Sequence, residues 1–226
     1  MSIITSIEDL RILAQRRVPR MFYDYADSGS WTESTYCANS SDFAKIKFRQ
    51  RVAVNLENRS LASTMVGQPV SMPVALSPTG LTGMQHADGE ILAAQAAEQF
   101  GVPFTLSTMS ICSIEDVAAN TTKPFWFQLY VMKDREFINR LIDRAKAAKC
   151  GALVLTLDLQ VLGQRDFVLQ PALDSNACFP HAIHPTANVH EDLPYLLPSL
   201  PQFQTLQSTS NRTSMASQML PEEERQ

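Results

Sequence analysis

Polar groups stand at the ends of four short apolar runs in the first two thirds of the sequence. They are Pro78-Thr79-Gly80, Ser107-Thr108, Gln128 with Tyr130, and Thr156 with Asp158. Taken singly, such a hydroxyl or amide is most often a satisfied core polar group or a helix cap. Four runs that end in the same way weaken that interpretation, and they indicate a site that hydrogen-bonds a polar ligand.

The run FWFQLYV, residues 125–131, is the most informative of the four. Side chains alternate along a strand, so Gln128 and Tyr130 point to one face while Phe127 and Leu129 point to the other. One face therefore packs against the core. The other face carries an amide and a phenol that could bind a polar molecule.

The elements that position these groups alternate between strand and helix. Strands are predicted at 70–81, 103–107, 125–131 and 152–158, and helices at 89–100, 113–119 and 134–148. Alternation of this kind, with nearly continuous apolar strands, is typical of a parallel α/β sheet. The carboxyl ends of parallel strands meet at one edge, so the four polar groups should converge there.

The two ends of the chain differ from this middle part. Residues 6–17 begin with the capping-box pattern Ser6-x-x-Asp9 and predict a short amphipathic helix, followed by short helices broken near Gly29. The segment 166–226 contains no glycine and no sustained period, so we expect it to be irregular. Its Cys178, His181, His184 and His190 could in principle bind zinc, although the accidental presence of these residues is the stronger interpretation.

Composition excludes several classes of function. The chain has 226 residues, a formal net charge of -4 and 45% hydrophobic residues, which is an ordinary globular balance without a basic field for nucleic acid. Its four cysteines form no C-x-x-C pair and its start does not look like a signal peptide, so we expect reduced thiols and a cytoplasmic protein. No apolar run reaches the roughly 20 residues of a membrane span, which leaves peripheral contact with the inner membrane open.

Five stretches carry a resemblance to a known family. They are YDYADSGSWTE, MPVALSPTGLTGMQHADGE, FTLSTMSICSIEDVA, FWFQLYVMKDR and LVLTLDLQVLGQR. In this order they resemble the FMN-dependent 2-hydroxy-acid dehydrogenases and oxidases, and most of all the bacterial respiratory L-lactate dehydrogenases. The resemblance runs from about residue 1 to Arg165. It implies a TIM-barrel fold of which this chain supplies an N-terminal helical extension and about the first four strands.

The resemblance also implies a role for each strand-end residue. The positions implied to contact FMN are Pro78, Thr79, Gly80, Ser107, Gln128 and Thr156. The positions implied to contact substrate are Tyr25, Tyr130 and Arg165, and Arg165 suits a carboxylate because its planar guanidinium stays charged. Catalytic roles are implied for Tyr130 and for Asp158, which would orient a catalytic histidine.

The implied reaction is oxidation of an L-2-hydroxy acid to a 2-oxo acid, with L-lactate and pyruvate as the expected pair. Quinone, cytochrome or oxygen would take the electrons, and the resemblance leaves a homo-oligomer possible. Met109 stands where glycolate oxidases have a tryptophan, which argues mildly against glycolate and leaves lactate, mandelate and longer acids open.

The sequence departs from the family pattern after Arg165. The resemblance implies a lysine on the fifth strand, a base histidine and a substrate arginine near the sixth, and a glycine-rich phosphate site, and none of these motifs is found. We therefore expect a division into residues 1–165 and an unrelated tail at 166–226, with a truncated or frameshifted enzyme of weak or no activity. The alternative is a non-catalytic half-barrel that acts by association with another chain.

Overall fold

The computed structural model describes residues 4–158 and the short segment 205–207. Predictions for Arg165 and for the tail residues Cys178, His181, His184 and His190 lie outside the described residues. Segment 205–207 belongs to the tail region of the sequence and forms a strand, so the division at residue 165 stays a prediction.

A parallel sheet forms the centre of the fold. Its strands are β3 (Thr105–Leu106), β4 (Trp126–Tyr130), β5 (Ala152–Thr156) and β6 (Thr205–Gln207), in that spatial order. All neighbouring pairs in this sheet are parallel. The sequence prediction of a parallel α/β arrangement is confirmed, and the carboxyl ends of the strands meet at one edge, which we call the rim.

The predicted strand at 70–81 is wrong in its extent. Within it, a single parallel bridge joins Leu76 to Phe104, and the Leu76 N–H donates to the Pro103 carbonyl over 2.9 Å. Pro73 and Pro78 lack the N–H groups that a longer ladder would need. The bridge nevertheless brings the turn that follows it to the β3 edge of the sheet.

The start of that segment belongs instead to an antiparallel hairpin. Strands β1 (Ser63–Met65) and β2 (Gln68–Val70) are joined by Val66 and Gly67, both with positive φ. Two-residue hairpin turns favour this geometry, but the usual signal is Asn-Gly or Asp-Gly. Because valine rarely adopts positive φ, a hairpin turn at Val66 and Gly67 could not be recognised from the residue types.

Helices cross between consecutive strands of the parallel sheet. Helix α5 (Gly89–Phe100) precedes β3, α6 (Ile114–Ala119) precedes β4, and α7 (Arg135–Ala147) precedes β5. Ser113 forms a capping box with Asp116, and the Asp134 carboxylate accepts from the Phe137 N–H over 3.0 Å. These caps place the helix starts within a residue of the sequence prediction.

Shorter helices precede the sheet, as the sequence predicts. They are α1 (Ile7–Arg17), α2 (Arg20–Asp27), α3 (Ser34–Ser41), a 3₁₀ helix at Asp42–Lys45 and α4 (Thr82–Gln85). The predicted Ser6 and Asp9 capping box is present at the start of α1. Among the helices of residues 4–158, none has the length and hydropathy to span a bilayer.

The hydrophobic core lies between the sheet and helices α5, α6 and α7. Strand β4 contributes Phe127 and Leu129 to this core, and α7 contributes Ile138 and Leu141. Gln128 is equally buried but lies on the opposite face of β4. The two-faced strand predicted from FWFQLYV is confirmed, so one face packs and the other is left for polar contacts.

Leu129 tests how much this packing contributes, since its side chain is fully buried whereas Leu92 on α5 is 48% exposed. Leu129→Ala should lower the free energy of unfolding by about 2–5 kcal/mol, because it leaves a cavity in the core. Leu92→Ala should change it by less than about 1 kcal/mol. Urea unfolding followed by circular dichroism measures both, and equal losses would contradict the assigned core.

Candidate functional site

The turn after the Leu76 bridge is pressed against the end of β3. The Leu81 N–H donates to the Met109 carbonyl over 2.9 Å. A Cβ built on Gly80 would lie 3.2 Å from the Cβ of Met109 and 3.8 Å from the Ser107 hydroxyl oxygen. The close approach of the two loops at the rim therefore favours a residue without a side chain at position 80.

A chain of hydrogen bonds joins the ends of three strands through Gln128. Ser107 Oγ donates to Gln128 Oε1 over 3.2 Å, and the Thr108 N–H donates to the same oxygen over 3.1 Å. Gln128 Nε2 in turn donates to Thr156 Oγ1 over 2.8 Å. Ser107, Gln128 and Thr156, predicted as site residues from separate strands, are thus brought together.

The orientation of the Gln128 amide follows from these contacts. A backbone N–H can only donate, so the amide oxygen must face Thr108 and the amide nitrogen must face Thr156. Thr108 also donates its hydroxyl to the Gln128 carbonyl over 2.5 Å and accepts from the Tyr130 N–H over 3.2 Å. Sequence reasoning placed Thr108 at the strand end but missed this role, for which its position directly after Ser107 was the available signal.

The polar groups left over on this face define what could bind there. Gln128 keeps a second N–H, and Thr156 keeps a hydroxyl proton and a lone pair after accepting from Gln128. Donors beside an acceptor complement a ring edge on which carbonyl and N–H groups alternate. The pyrimidine edge of a flavin has this pattern, so the donor set fits FMN.

Tyr130 lies at the same rim and is half-buried. Burial raises the pKa of Tyr130, and the charge of Asp158 and the neighbouring Tyr25 raise it further. This electrostatic coupling places Asp158 and Tyr25 in the surroundings of the Tyr130 phenol. At neutral pH Tyr130 therefore keeps its proton and can donate a hydrogen bond.

Helix α2 carries Tyr25 and is bound to α4, which follows the Leu76 bridge. Gln85 Nε2, at the end of α4, donates to the Phe22 carbonyl over 2.6 Å. Within α2, the buried Tyr23 hydroxyl donates to Asp27 over 2.8 Å, and burial together with this bond raises the pKa of Tyr23. Arg11 Nη1 of α1 donates to the same carboxylate oxygen over 2.9 Å. Helix α2, which carries Tyr25, is thus tied to both α4 and α1.

Other predicted positions are less directly involved. Pro78 and Thr79 are exposed, and the Thr79 hydroxyl lies 3.5 Å from the Ser77 carbonyl. Arg165 lies outside the described residues. Among the residues described, no group of three or more His, Cys, Asp or Glu side chains could hold a metal ion.

Comparison with known proteins agrees with this geometry. A family model described as FMN-dependent dehydrogenase matches residues 14–221. The L-lactate dehydrogenase of Ectopseudomonas mendocina (strain ymp) is 47% identical over 163 residues, which are 72% of this chain and 43% of that protein. The chain therefore spans less than half the length of this curated relative.

Solved structures show the same relationship. A monotopic membrane protein, (S)-mandelate dehydrogenase, superposes with a TM-score of 0.72 at 35% identity, over 80% of this chain and 48% of that one. A flavocytochrome b2 variant with sulfite bound superposes with a TM-score of 0.78 at 26% identity, over 88% of this chain and 52% of that one. These neighbours support the α/β barrel type of fold predicted from the sequence.

The hydrogen-bonded chain at the rim can be tested through stability. Gln128→Leu should lower the free energy of unfolding by about 1–3 kcal/mol, because it leaves the buried donors of Ser107 and Thr108 without an acceptor. The control is Thr79→Val, whose hydroxyl is exposed and makes one long contact. Thermal and urea unfolding would show whether the Gln128 variant loses more than the control, as the contacts require.

Proposed function

Because the chain belongs to the family of FMN-dependent dehydrogenases, we propose that its described residues form part of the FMN-binding rim of an enzyme that oxidises an L-2-hydroxy acid. The observation that carries the proposal is the series of hydrogen bonds that links Ser107 to Gln128 and Gln128 to Thr156. L-lactate, oxidised to pyruvate, is the proposed substrate, since the relatives named above include an L-lactate dehydrogenase.

The roles of the strand-end residues follow from their remaining hydrogen-bonding capacity. FMN, when bound, supplies the acceptor for the two electrons that leave the substrate. The second N–H of Gln128 and the hydroxyl of Thr156 would hold the polar edge of its ring. Gly80 keeps side-chain atoms away from the neighbouring turn, and the exposed backbone of Pro78 and Thr79 would approach the ring there.

The substrate side of the proposed site lies around Tyr130. Its raised pKa, caused first by burial, keeps the phenol protonated, so it can donate to a carboxylate or hydroxyl oxygen of the hydroxy acid. Tyr25 on α2 would contribute the second phenol. Asp158 is proposed to orient a histidine base, and Arg165 is proposed to pair with the substrate carboxylate.

The base itself is not supplied by the part of the chain that the structure describes. His86 is the one histidine within residues 4–158, and it is exposed. Its Nδ1 lies 2.7 Å from the Ala87 carbonyl oxygen, and its backbone N–H donates to the Thr82 carbonyl at the C-terminal end of α4, so its contacts are structural ones. Because the sequence also lacks the histidine motif implied for the sixth strand, we propose that this chain alone oxidises L-lactate weakly or not at all.

A specific surface favours the alternative of association with another chain. In the 3₁₀ helix and in the segment between it and β1, large apolar side chains are exposed, among them Phe43 at 73%, Phe48 at 96% and Val52 at 87%. An apolar surface of this kind usually marks an interface. The chain spans about half of each solved relative, so the proposed partner is a chain with the chemistry of the remaining barrel half.

FMN binding tests the first proposal directly. Titration of FMN into the purified chain, followed by flavin fluorescence, should show saturable binding that Thr156→Val weakens about 2–10-fold, the effect of one lost hydrogen bond. Thr64→Val, on the exposed strand β1, is the matched control and should leave binding unchanged. Equal affinity of all three proteins would remove the rim from the flavin site.

Turnover is measured separately from binding. L-lactate-dependent reduction of a dye by the FMN-loaded chain should be close to background, because the motif implied for the base histidine is not found in the sequence. Rapid turnover by the chain alone would overturn this expectation while leaving FMN binding intact.

Association is tested with the remaining part of the E. mendocina L-lactate dehydrogenase, beyond the region matched here. The two chains should copurify, and Phe48→Ser should weaken the complex about 10-fold or more, because a buried phenylalanine contributes about 1.5–3 kcal/mol. Phe100→Ser is the control, since Phe100 is 69% exposed at the far end of α5. Equal effects of both changes would argue against a specific interface at Phe48.

A further inference from the structure

Glu90 is unusually buried for an acidic residue in the first turn of a helix. It follows Gly89 at the start of α5, where acidic side chains are common because they interact favourably with the helix dipole. Such side chains are normally solvated, yet Glu90 is only 1% exposed. A carboxylate buried to this extent is costly unless donors surround it.

Two loops supply those donors. Glu90 Oε1 accepts from the Gly83 N–H over 3.0 Å and from the Ile111 N–H over 2.9 Å. Gly83 belongs to α4, in the loop region after the Leu76 bridge, whereas Ile111 belongs to the loop after β3. One carboxylate oxygen therefore joins the two loops that border the rim.

The carboxyl group is held in its charged form. Burial alone would raise the pKa of Glu90, but the N–H groups of Ile111 and Gly83 outweigh it, and the pKa lies below its ordinary value. Cys112 lies beside the carboxylate, and its own pKa is raised by burial and by Glu90. Glu90 Oε2 has no hydrogen-bond partner of good geometry among the described residues.

The packing around Gly83 shows how closely the two loops approach each other over this carboxylate. A Cβ on Gly83 would lie 2.6 Å from the Ile111 Cβ and 3.1 Å from Glu90 Oε2. The absence of a side chain at Gly83 is therefore required for this contact. The same two loops are joined again nearer the rim by the bond between Leu81 and Met109.

Each of these loops holds part of the proposed site. The α4 loop fixes helix α2, which carries Tyr25, through the bond from Gln85 to Phe22. The loop after β3 begins with Ser107 and Thr108, which hold the Gln128 amide. A displacement of either loop would therefore move groups on the substrate side or on the flavin side.

We propose that Glu90 is a positioning residue that sets the relative placement of these two loops and, through them, the geometry of the flavin and substrate groups at the rim. Its link to flavin binding rests on the proposed function. Its link to the loops rests on the contacts of Glu90 alone.

Glu98 provides a matched control on the same helix. Its carboxylate also holds a loop, by accepting from Thr122, but that loop precedes β4 and so lies at the end of the sheet opposite the rim. Glu90→Ala and Glu98→Ala therefore both remove a loop contact. Only the first is expected to disturb the rim.

Hydrogen exchange measured by mass spectrometry tests the loops without FMN. In Glu90→Ala the peptides containing Gly83 and Ile111 should exchange at least tenfold faster, and in Glu98→Ala they should not change. If Glu90→Ala does not fold, Glu90→Gln decides, because it keeps an acceptor but loses the charge, and about fivefold faster exchange is expected there. Unchanged exchange at both loops in the folded variant would overturn the proposal.

FMN titration of the same variants separates this proposal from the proposed function. If the original chain binds FMN, Glu90→Ala should weaken binding about tenfold, or Glu90→Gln should weaken it about threefold, while Glu98→Ala has no effect. If the original chain does not bind FMN, the proposed function fails, and faster exchange at Gly83 and Ile111 still supports the positioning role.

Discussion

The buried amide of Gln128 is the interaction on which the rim depends. Its oxygen is held by the hydroxyl of Ser107 and the N–H of Thr108, and its nitrogen is held by Thr156. An unpaired amide in this position would cost about 1–3 kcal/mol. The ends of strands β3, β4 and β5 must therefore be aligned so that the amide oxygen and nitrogen both have hydrogen-bond partners. The hydrogen bonds that satisfy this amide thus also position the polar groups proposed to face the flavin.

Strand register explains why this bond forms between Gln128 and Thr156. Gln128 lies opposite Val154, and Tyr130 lies opposite Thr156, so the amide reaches diagonally across the pair towards the carboxyl end. A glutamine is long enough for such a diagonal contact. Phe127 and Leu129 pack against the helices on one face of β4. The opposite face, which carries Gln128, is left to polar groups.

The sequence predicted those elements whose signals are local. The ends of helices α5, α6 and α7 were predicted to within a residue. Apolar spacing and the caps at Ser113 and Asp134 depend only on residues close together in the sequence. The strand predicted at 70–81 was wrong in its extent, because its pairing in the parallel sheet is reduced to Leu76 between two prolines. Gln128 was recognisable because an amide interrupts an otherwise apolar run.

Thr108 and Glu90 were not recognisable in the same way. Thr108 acquires its role from the backbone of β4, about twenty residues further along the chain, and Glu90 from Gly83 and Ile111 on either side of α5. Glu90 in particular looks like an ordinary acidic residue in a first helical turn. Its burial depends on two loops that meet only after the sheet has formed, and no local pattern contains that information.

In the proposed function, recognition of the flavin ring and removal of a proton from the substrate have different structural requirements. Recognition of the ring needs hydrogen-bond donors in fixed positions. Gln128 and Thr156 are held in such positions because they lie on the paired strands β4 and β5. Proton removal needs a base at the substrate, and His86 is exposed at the end of α4 and bonded to the adjacent carbonyl. The proposed ring contacts therefore depend on β3, β4 and β5, whereas no base for the proposed reaction is supplied by the part of the chain that the structure describes.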